Sequence, residues 1–306
     1  MIVLCGAQHA EPSLTRVLRE LGVTGPVALV TAGWQEREGE AGVVADPGVP
    51  VVELGLHARG DDVFANDDEL AAAYKARQLR LKLMQDFYRV RLEHAAQAAR
   101  AVAVRSAEPD LIAEEWVASL AVIRQIDRDH LDRCRAVHAA FEAEHHPRQH
   151  AALARHIAEL RALIEPTDAV VIAGGHVAVL LNRLRLFGLA ELAGPRPIVA
   201  WSAGAMALTD RVVLFHEDPP QGQAISEVLD AGLGLAHDVV VLPEPRLRLN
   251  LDDATRVGEL AQRYAPAVCV ALDHGAQLWV DDGRVVRGVS AQRLDPGGAV
   301  EQAWSP

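Results

Sequence analysis

Residues 198–208 read Ile-Val-Ala-Trp-Ser-Ala-Gly-Ala-Met-Ala-Leu, and few folds accommodate such a run. It opens as a short apolar stretch behind Pro195 and Pro197, which predicts a buried strand. It closes as an Ala/Met/Leu stretch, which predicts a helix. Ser202 stands at the junction, with Ala200 two positions before it and Gly204 two after it. That is the spacing of a nucleophile elbow whose first Gly is replaced by Ala. A chain turning so sharply has no room for larger side chains at the flanking positions. The turn would lift the Ser202 hydroxyl out at the end of a sheet and aim the Ala203 N–H at any oxyanion formed there. The plain alternative is an ordinary strand–turn–helix with Ser202 as its N-cap.

The surrounding chain repeats the same alternation. Short apolar runs at residues 2–6, 27–31 and 49–54 come with helical spacing at 14–21. The pattern returns at 169–173, closed by Gly174-Gly175, and a helix is predicted over 176–186. Further strands are predicted at 211–215, 239–242 and 268–272, with a helix over 252–264. Strands alternating with helices predict an α/β fold with a doubly wound, mainly parallel sheet covered on both faces. Asp281-Asp282-Gly283, between the apolar runs 278–280 and 284–286, predicts a hairpin.

Between the two α/β parts the pattern changes. From Asp67 to about Arg105 there is no Gly and no Pro, and Leu70, Tyr74, Leu81, Met84, Tyr88, Leu92 and Ala95 recur at helical spacing. A helix of that length would be roughly 57 Å long. Asp67 and Asp68 suit its start. Pro109 breaks it, a second segment runs over 111–145 to Pro147, and a third over 149–164 stops at Pro166. The chain thus divides into an α/β domain of residues 1–65 and 166–306 and a helical insertion of 66–165. The apolar stripes of such helices need partners, which each other or a homodimer would provide. The Arg/Leu-rich run 77–91, mixed with Asp86 and a Tyr/Leu stripe, favours helix packing or a subunit interface over a membrane surface.

Composition narrows the function. The 306 residues are half hydrophobic and carry a formal net charge of −12, which excludes nucleic acid as the main partner because phosphate binding needs a basic face. Cys5, Cys134 and Cys269 are odd in number and widely spaced, as expected of reduced thiols in a cytoplasmic protein. The N-terminus has no basic segment followed by a long apolar one, so no signal peptide is expected, and no stretch has the length to cross a bilayer.

Ligands of a parallel sheet bind beyond the carboxyl ends of its strands. There Gly174-Gly175-His176 would let backbone N–H groups approach a carbonyl oxygen. Gly-Gly opening a helix, the Ser-Ala-Gly-Ala elbow and then Gly232-Leu233-Gly234-Leu235 resemble the serine peptidase family of aspartyl dipeptidase and cyanophycinase. The stretch Val-Ala-Leu-Val-Thr-Ala-Gly-Trp-Gln-Glu-Arg-Glu at 27–38 is similar to the early strand and loop of the same superfamily. The resemblance covers residues 1–60 and 166–290. It implies a class I glutamine-amidotransferase-like, flavodoxin-like fold, without the glutaminase's cysteine, since Ser202 takes the elbow. It makes Ser202 the nucleophile and puts Gly174, Gly175 and Ala203 at the oxyanion hole. It also departs from the family: Glu244 falls where the catalytic His is expected. A serine without an imidazole lacks an acceptor for its proton. His176 and His216 are the candidates to replace it, with Glu217 or Asp218 as orienting acid and Glu244 as an alternative base. His237 is expected at the opposite end of the sheet.

Arg246 and Arg248 alternate after Glu244 and would either clamp a substrate carboxylate or pair with Asp252 and Asp253. The histidines between His138 and His156 fit no closed metal-site spacing and read as a solvated helix end. The expected function is a serine hydrolase, peptidase-like, that opens a small peptide or isopeptide amide through a Ser202 acyl-enzyme, with no cofactor and no metal. Two alternatives are a catalytically inactive homologue that binds or assembles, and a serine-based acyl transferase.

Overall fold

The computed structural model describes residues 1–9, 12–40, 48–215 and 225–304. In chain order the first elements are β1 (Ile2–Cys5), α1 (Leu14–Glu20), β2 (Val27–Val30), β3 (Val51–Glu53), α2 (Leu56–Ala65), α3 (Asp68–Ala103), α4 (Pro109–His145), α5 (Ala151–Ile164) and β4 (Ala169–Ile172). Then come α6 (Val177–Phe187), α7 (Leu189–Ala193), β5 (Ile198–Trp201), α8 (Ala203–Leu208), β6 (Arg211–Leu214), β7 (Glu227–Ala231), β8 (Val239–Pro243), α9 (Pro245–Arg248) and α10 (Ala254–Tyr264). The chain closes with β9 (Val268–Leu272), β10 (Gln277–Asp281), β11 (Arg284–Val289), β12 (Gln292–Leu294) and β13 (Val300–Gln302).

The main sheet runs β3-β2-β4-β5-β1-β10-β11, with its first five strands parallel and the last two antiparallel. Its inner parallel strands β2, β4, β5 and β1 are apolar at every position because both faces are covered. Successive side chains point to opposite faces, so each strand feeds two cores. Val3 and Cys5 pack with Leu14, Val17 and Leu18 of α1. Leu4 belongs to the other core, with Leu180 and Leu184 of α6 and Leu153 and Leu160 of α5. The chain is an α/β protein with a mixed, mostly parallel sheet and a long helical hairpin inserted between β3 and β4.

The C-terminal strands depart from the expected single sheet. β8 and β9 pair in parallel and join β12 and β13 in a second, four-stranded sheet, while β6 and β7 form a separate antiparallel ribbon. The reason lies at β1, whose outer edge is taken by β10 in antiparallel register, with Val3 opposite Trp279 and Leu4 opposite Leu278. The hairpin that does this was legible in the sequence. Asp282 (φ 46°) and Gly283 (φ 74°) supply the pair of positive φ angles that its two-residue turn requires.

Asp67 accepts a hydrogen bond from Leu70 N (2.9 Å) and starts α3, and Pro109 sits in the first turn of α4. The two helices run antiparallel. Tyr74 meets Phe141 edge-on at 6.3 Å, and further along Tyr88 donates to Asp127 at 2.7 Å. Helix α4 is tied to the α/β part through buried charge. Asp127 receives two hydrogen bonds from Arg263 of α10, at 2.7 and 2.8 Å, and both side chains are almost wholly buried. His138 and Arg185 both reach Asp230 of β7, each at 2.9 Å. The third helical piece belongs elsewhere. α5 packs on α2, α6 and α7 and so covers the sheet rather than extending the hairpin. None of the described helices is long and apolar enough to cross a membrane.

Removing one partner of a buried ion pair strands the other charge in a low-dielectric interior. Arg263→Ala is therefore expected to lower the unfolding free energy by about 3–5 kcal/mol, read from urea midpoints. The double variant Asp127→Leu/Arg263→Met should recover most of that loss.

Candidate functional site

Strand β5 delivers Ser202 at the carboxyl edge of the sheet. Its backbone sits at φ 49° and ψ −119°, a sparsely populated region for any residue with a side chain. Holding it there costs roughly 1–3 kcal/mol, which the surroundings must offset. They do so on both sides. Ser202 N donates to Cys5 O of β1 at 3.1 Å, and Ser202 O accepts from Met206 N at 3.1 Å to start α8. Gly204 is needed because a Cβ there would lie 2.7 Å from Ile172 O of β4. Ser202 occupies the N-cap position, yet its hydroxyl makes no capping hydrogen bond. The plain N-cap role therefore does not account for the residue.

The Gly174-Gly175 loop leans on the same turn. A Cβ at Gly174 would lie 3.0 Å from Ser202 Cβ. Gly175 has φ +112°, and a Cβ there would lie 2.5 Å from both C and O of Gly33. His176 N donates to Gly33 O at 2.7 Å and pins the loop from outside. Among the described residues the Gly175 N–H has no hydrogen-bond partner. The Ala203 N–H opens α8, where no carbonyl of its own helix can reach it. Gly175 and Ala203 line the same cleft as Ser202, and backbone amides without carbonyl partners are groups able to stabilise negative charge.

Ser202 opens into a cleft of about 420 Å³. Trp34, Val177, Trp201, Met206 and Leu214 supply apolar wall, and Gly174, Gly175 and Ala203 supply backbone. Across from the serine stands Glu244, at the end of β8, also at positive φ (52°). Its carboxylate is mostly buried, at 18% exposure, and lies 3.3 Å from Arg248 Nη2 and 3.9 Å from His9 Nε2. His9 follows β1 and lines the same cleft. Its ring meets His274, just after β9, edge-on at 4.6 Å.

The sequence-predicted residues divide accordingly. Ser202, Gly174, Gly175, Ala203, Glu244 and Arg248 line one cleft. His176 does not: its exposed ring turns back over its own helix, where Nδ1 accepts from Val179 N at 3.4 Å. Arg246 points outward and pairs with Asp273 at 2.7 Å, so no clamp forms from it. His216, Glu217 and Asp218 lie outside the described residues. His237 precedes β8, as expected, and pairs with Asp210 at 2.9 Å. Sequence reading passed over His9 and His274. Each follows a strand at its carboxyl end, and that placement was the available signal. Among the described residues, none hydrogen-bonds the Ser202 hydroxyl.

Elsewhere the histidine-rich stretch is dispersed onto separate acids: His138 on Asp230, His150 on Asp67 and His156 on Asp62. No group of three or more metal-ligating side chains occurs among the described residues. All three cysteines are free and buried, and burial pushes the thiols of Cys5, Cys134 and Cys269 up to about 12. At neutral pH they stay protonated and are poor nucleophiles. No family model and no curated protein matches this chain.

The fit of the Gly175 loop against Gly33 sets a measurable expectation. Gly175→Ala should destabilise the fold by about 1–3 kcal/mol in urea unfolding. Gly39→Ala, where a Cβ meets nothing within 4 Å, should be close to neutral.

Proposed function

We propose that the chain is a serine hydrolase, peptidase-like, acting on a small peptide or isopeptide amide. The single observation that carries this reading is the strained Ser202 turn, open to a cleft and flanked by the amides of Gly175 and Ala203. Strain maintained against a cost of that size is concentrated at functional sites. In this mechanism the Ser202 hydroxyl attacks the carbonyl carbon and the two amides hold the oxyanion. The hydroxyl proton passes to His9, which then gives it to the departing amine. Water, deprotonated by the same imidazole, cleaves the acyl-enzyme and restores the serine. Glu244, 3.9 Å from His9 Nε2, orients that ring and stabilises its charge. Catalytic hydrogen bonds are commonly long before substrate binds, so the spacing is compatible with the role.

The finer fold assignment belongs to the same proposal: a class I glutamine-amidotransferase-like, doubly wound domain, with serine in place of the glutaminase cysteine. Buried, unpaired thiols suit a reducing, cytoplasmic setting. Arg248, within the cleft, is available to a substrate carboxylate once Glu244 engages His9.

One observation favours a second reading, a binding protein that keeps the cleft without the chemistry. Glu244 is paired with Arg248 at 3.3 Å, and by the resemblance it falls where that family would carry its histidine. A fluorophosphonate probe separates the two. The hydrolase reading expects labelling of the wild type, none of Ser202→Ala, and labelling slowed about 10²–10⁴-fold in His9→Ala. Absence of labelling throughout pH 6–9, together with labelling gained by Glu244→His, would favour the binding reading.

A further inference from the structure

The helical hairpin buries one side of α3 and leaves the other uncovered. At 100° per residue, Tyr74, Met84, Tyr88 and Leu92 point into the protein. Leu79, Leu83, Phe87 and Val90 point the opposite way and are 56%, 50%, 67% and 54% exposed. An apolar stripe of this kind marks an interaction surface. Its charged border says what covers it. Along one edge run Asp68, Lys75 and Lys82, then Asp86, Glu93 and Arg100, all exposed and each trio spaced by seven residues. The signs read minus, plus, plus, minus, minus, plus.

That series is self-complementary about residue 84. In an antiparallel pair of identical helices the same edge of each faces the other. Centred on residue 84, Asp68 meets the second copy's Arg100, Lys75 meets Glu93, and Lys82 meets Asp86. All six of these charges find an opposite over about 48 Å of helix, while Arg89 beside them is held within its own chain by Asp86 at 3.8 Å and Glu227 at 2.7 Å. The same register sets Leu79, Leu83, Phe87 and Val90 in the gaps between their counterparts, as interdigitated packing requires. The other edge carries Arg80 and Arg91, whose long stems let the guanidinium groups reach water past Phe87.

We infer that the exposed face of α3 pairs with α3 of a second copy, antiparallel and two-fold symmetric about residue 84, making the chain a homodimer. The inference rests on no residue of the Ser202 cleft. Sedimentation and light scattering of the full chain should give twice the 33.0 kDa chain mass at micromolar concentration. Phe87→Glu should be monomeric with unchanged circular dichroism. Lys75→Glu/Lys82→Glu should raise the dissociation constant on the order of 10–100-fold. Adding Asp86→Lys/Glu93→Lys to that variant should restore it. Leu83→Cys, next to the two-fold axis, should oxidise to a covalent dimer. A monomeric wild type, a dimer indifferent to Phe87→Glu, or failure of the four-fold charge exchange to restore pairing would each overturn the inference.

Discussion

At the carboxyl edge of the main sheet, main chain packs directly on main chain. The loop leaving β4 touches the Ser202 turn through Gly174 and the loop after β2 through Gly175 and Gly33. Strand register sets up this contact: Ile172 pairs with Ala200, and Cys5 pairs with Trp201. With those neighbours fixed, the turn at Ser202 has one way to leave the sheet. Each Cβ added at the contact would push a loop outward and carry an amide away from the hydroxyl. The unfavourable backbone angles of Ser202 persist because the packing around them permits no relaxation.

Charge plays a different part at the hairpin. Tyr88, Asp127 and Arg263 form a buried polar group between α3, α4 and α10, and the Tyr88 hydroxyl also accepts from Val228 N of β7 at 3.0 Å. Burial and the neighbouring Asp127 carboxylate raise the Tyr88 phenol, so it remains a neutral donor. Taking these groups out of water is costly, and their attraction recovers that cost only when the geometry is good. Such a group therefore selects one seating of the hairpin. Slippage by a turn would separate Arg263 from its carboxylate, whereas an all-apolar contact would tolerate several registers.

The site was legible in the sequence where its signals are local. A strand, a serine and a helix within eleven residues, with small neighbours at fixed spacing, describe a turn that short-range sterics dictate. His176 illustrates the limit of adjacency. It follows Gly175 in the chain, but an N-cap side chain bends toward its own helix, and so the ring leaves the cleft. His9 illustrates the converse. It lies far from Ser202 and Glu244 in sequence, and only the order β5-β1 and the docking of the second sheet bring the three to one cleft.

By itself the sequence determined the alternation of strands and helices, the sharp turn at Ser202, the β10–β11 hairpin and the two long helices. Each depends on residues within a few turns or strand lengths, whose periodicity and breakers act locally. Tertiary structure alone decided that β8 and β9 leave the main sheet, that α5 covers it, and that Glu244 faces His9 across the cleft. Those outcomes turn on which strand edge is already occupied and which faces find apolar partners. Such competitions are between distant segments, and no single segment encodes their result.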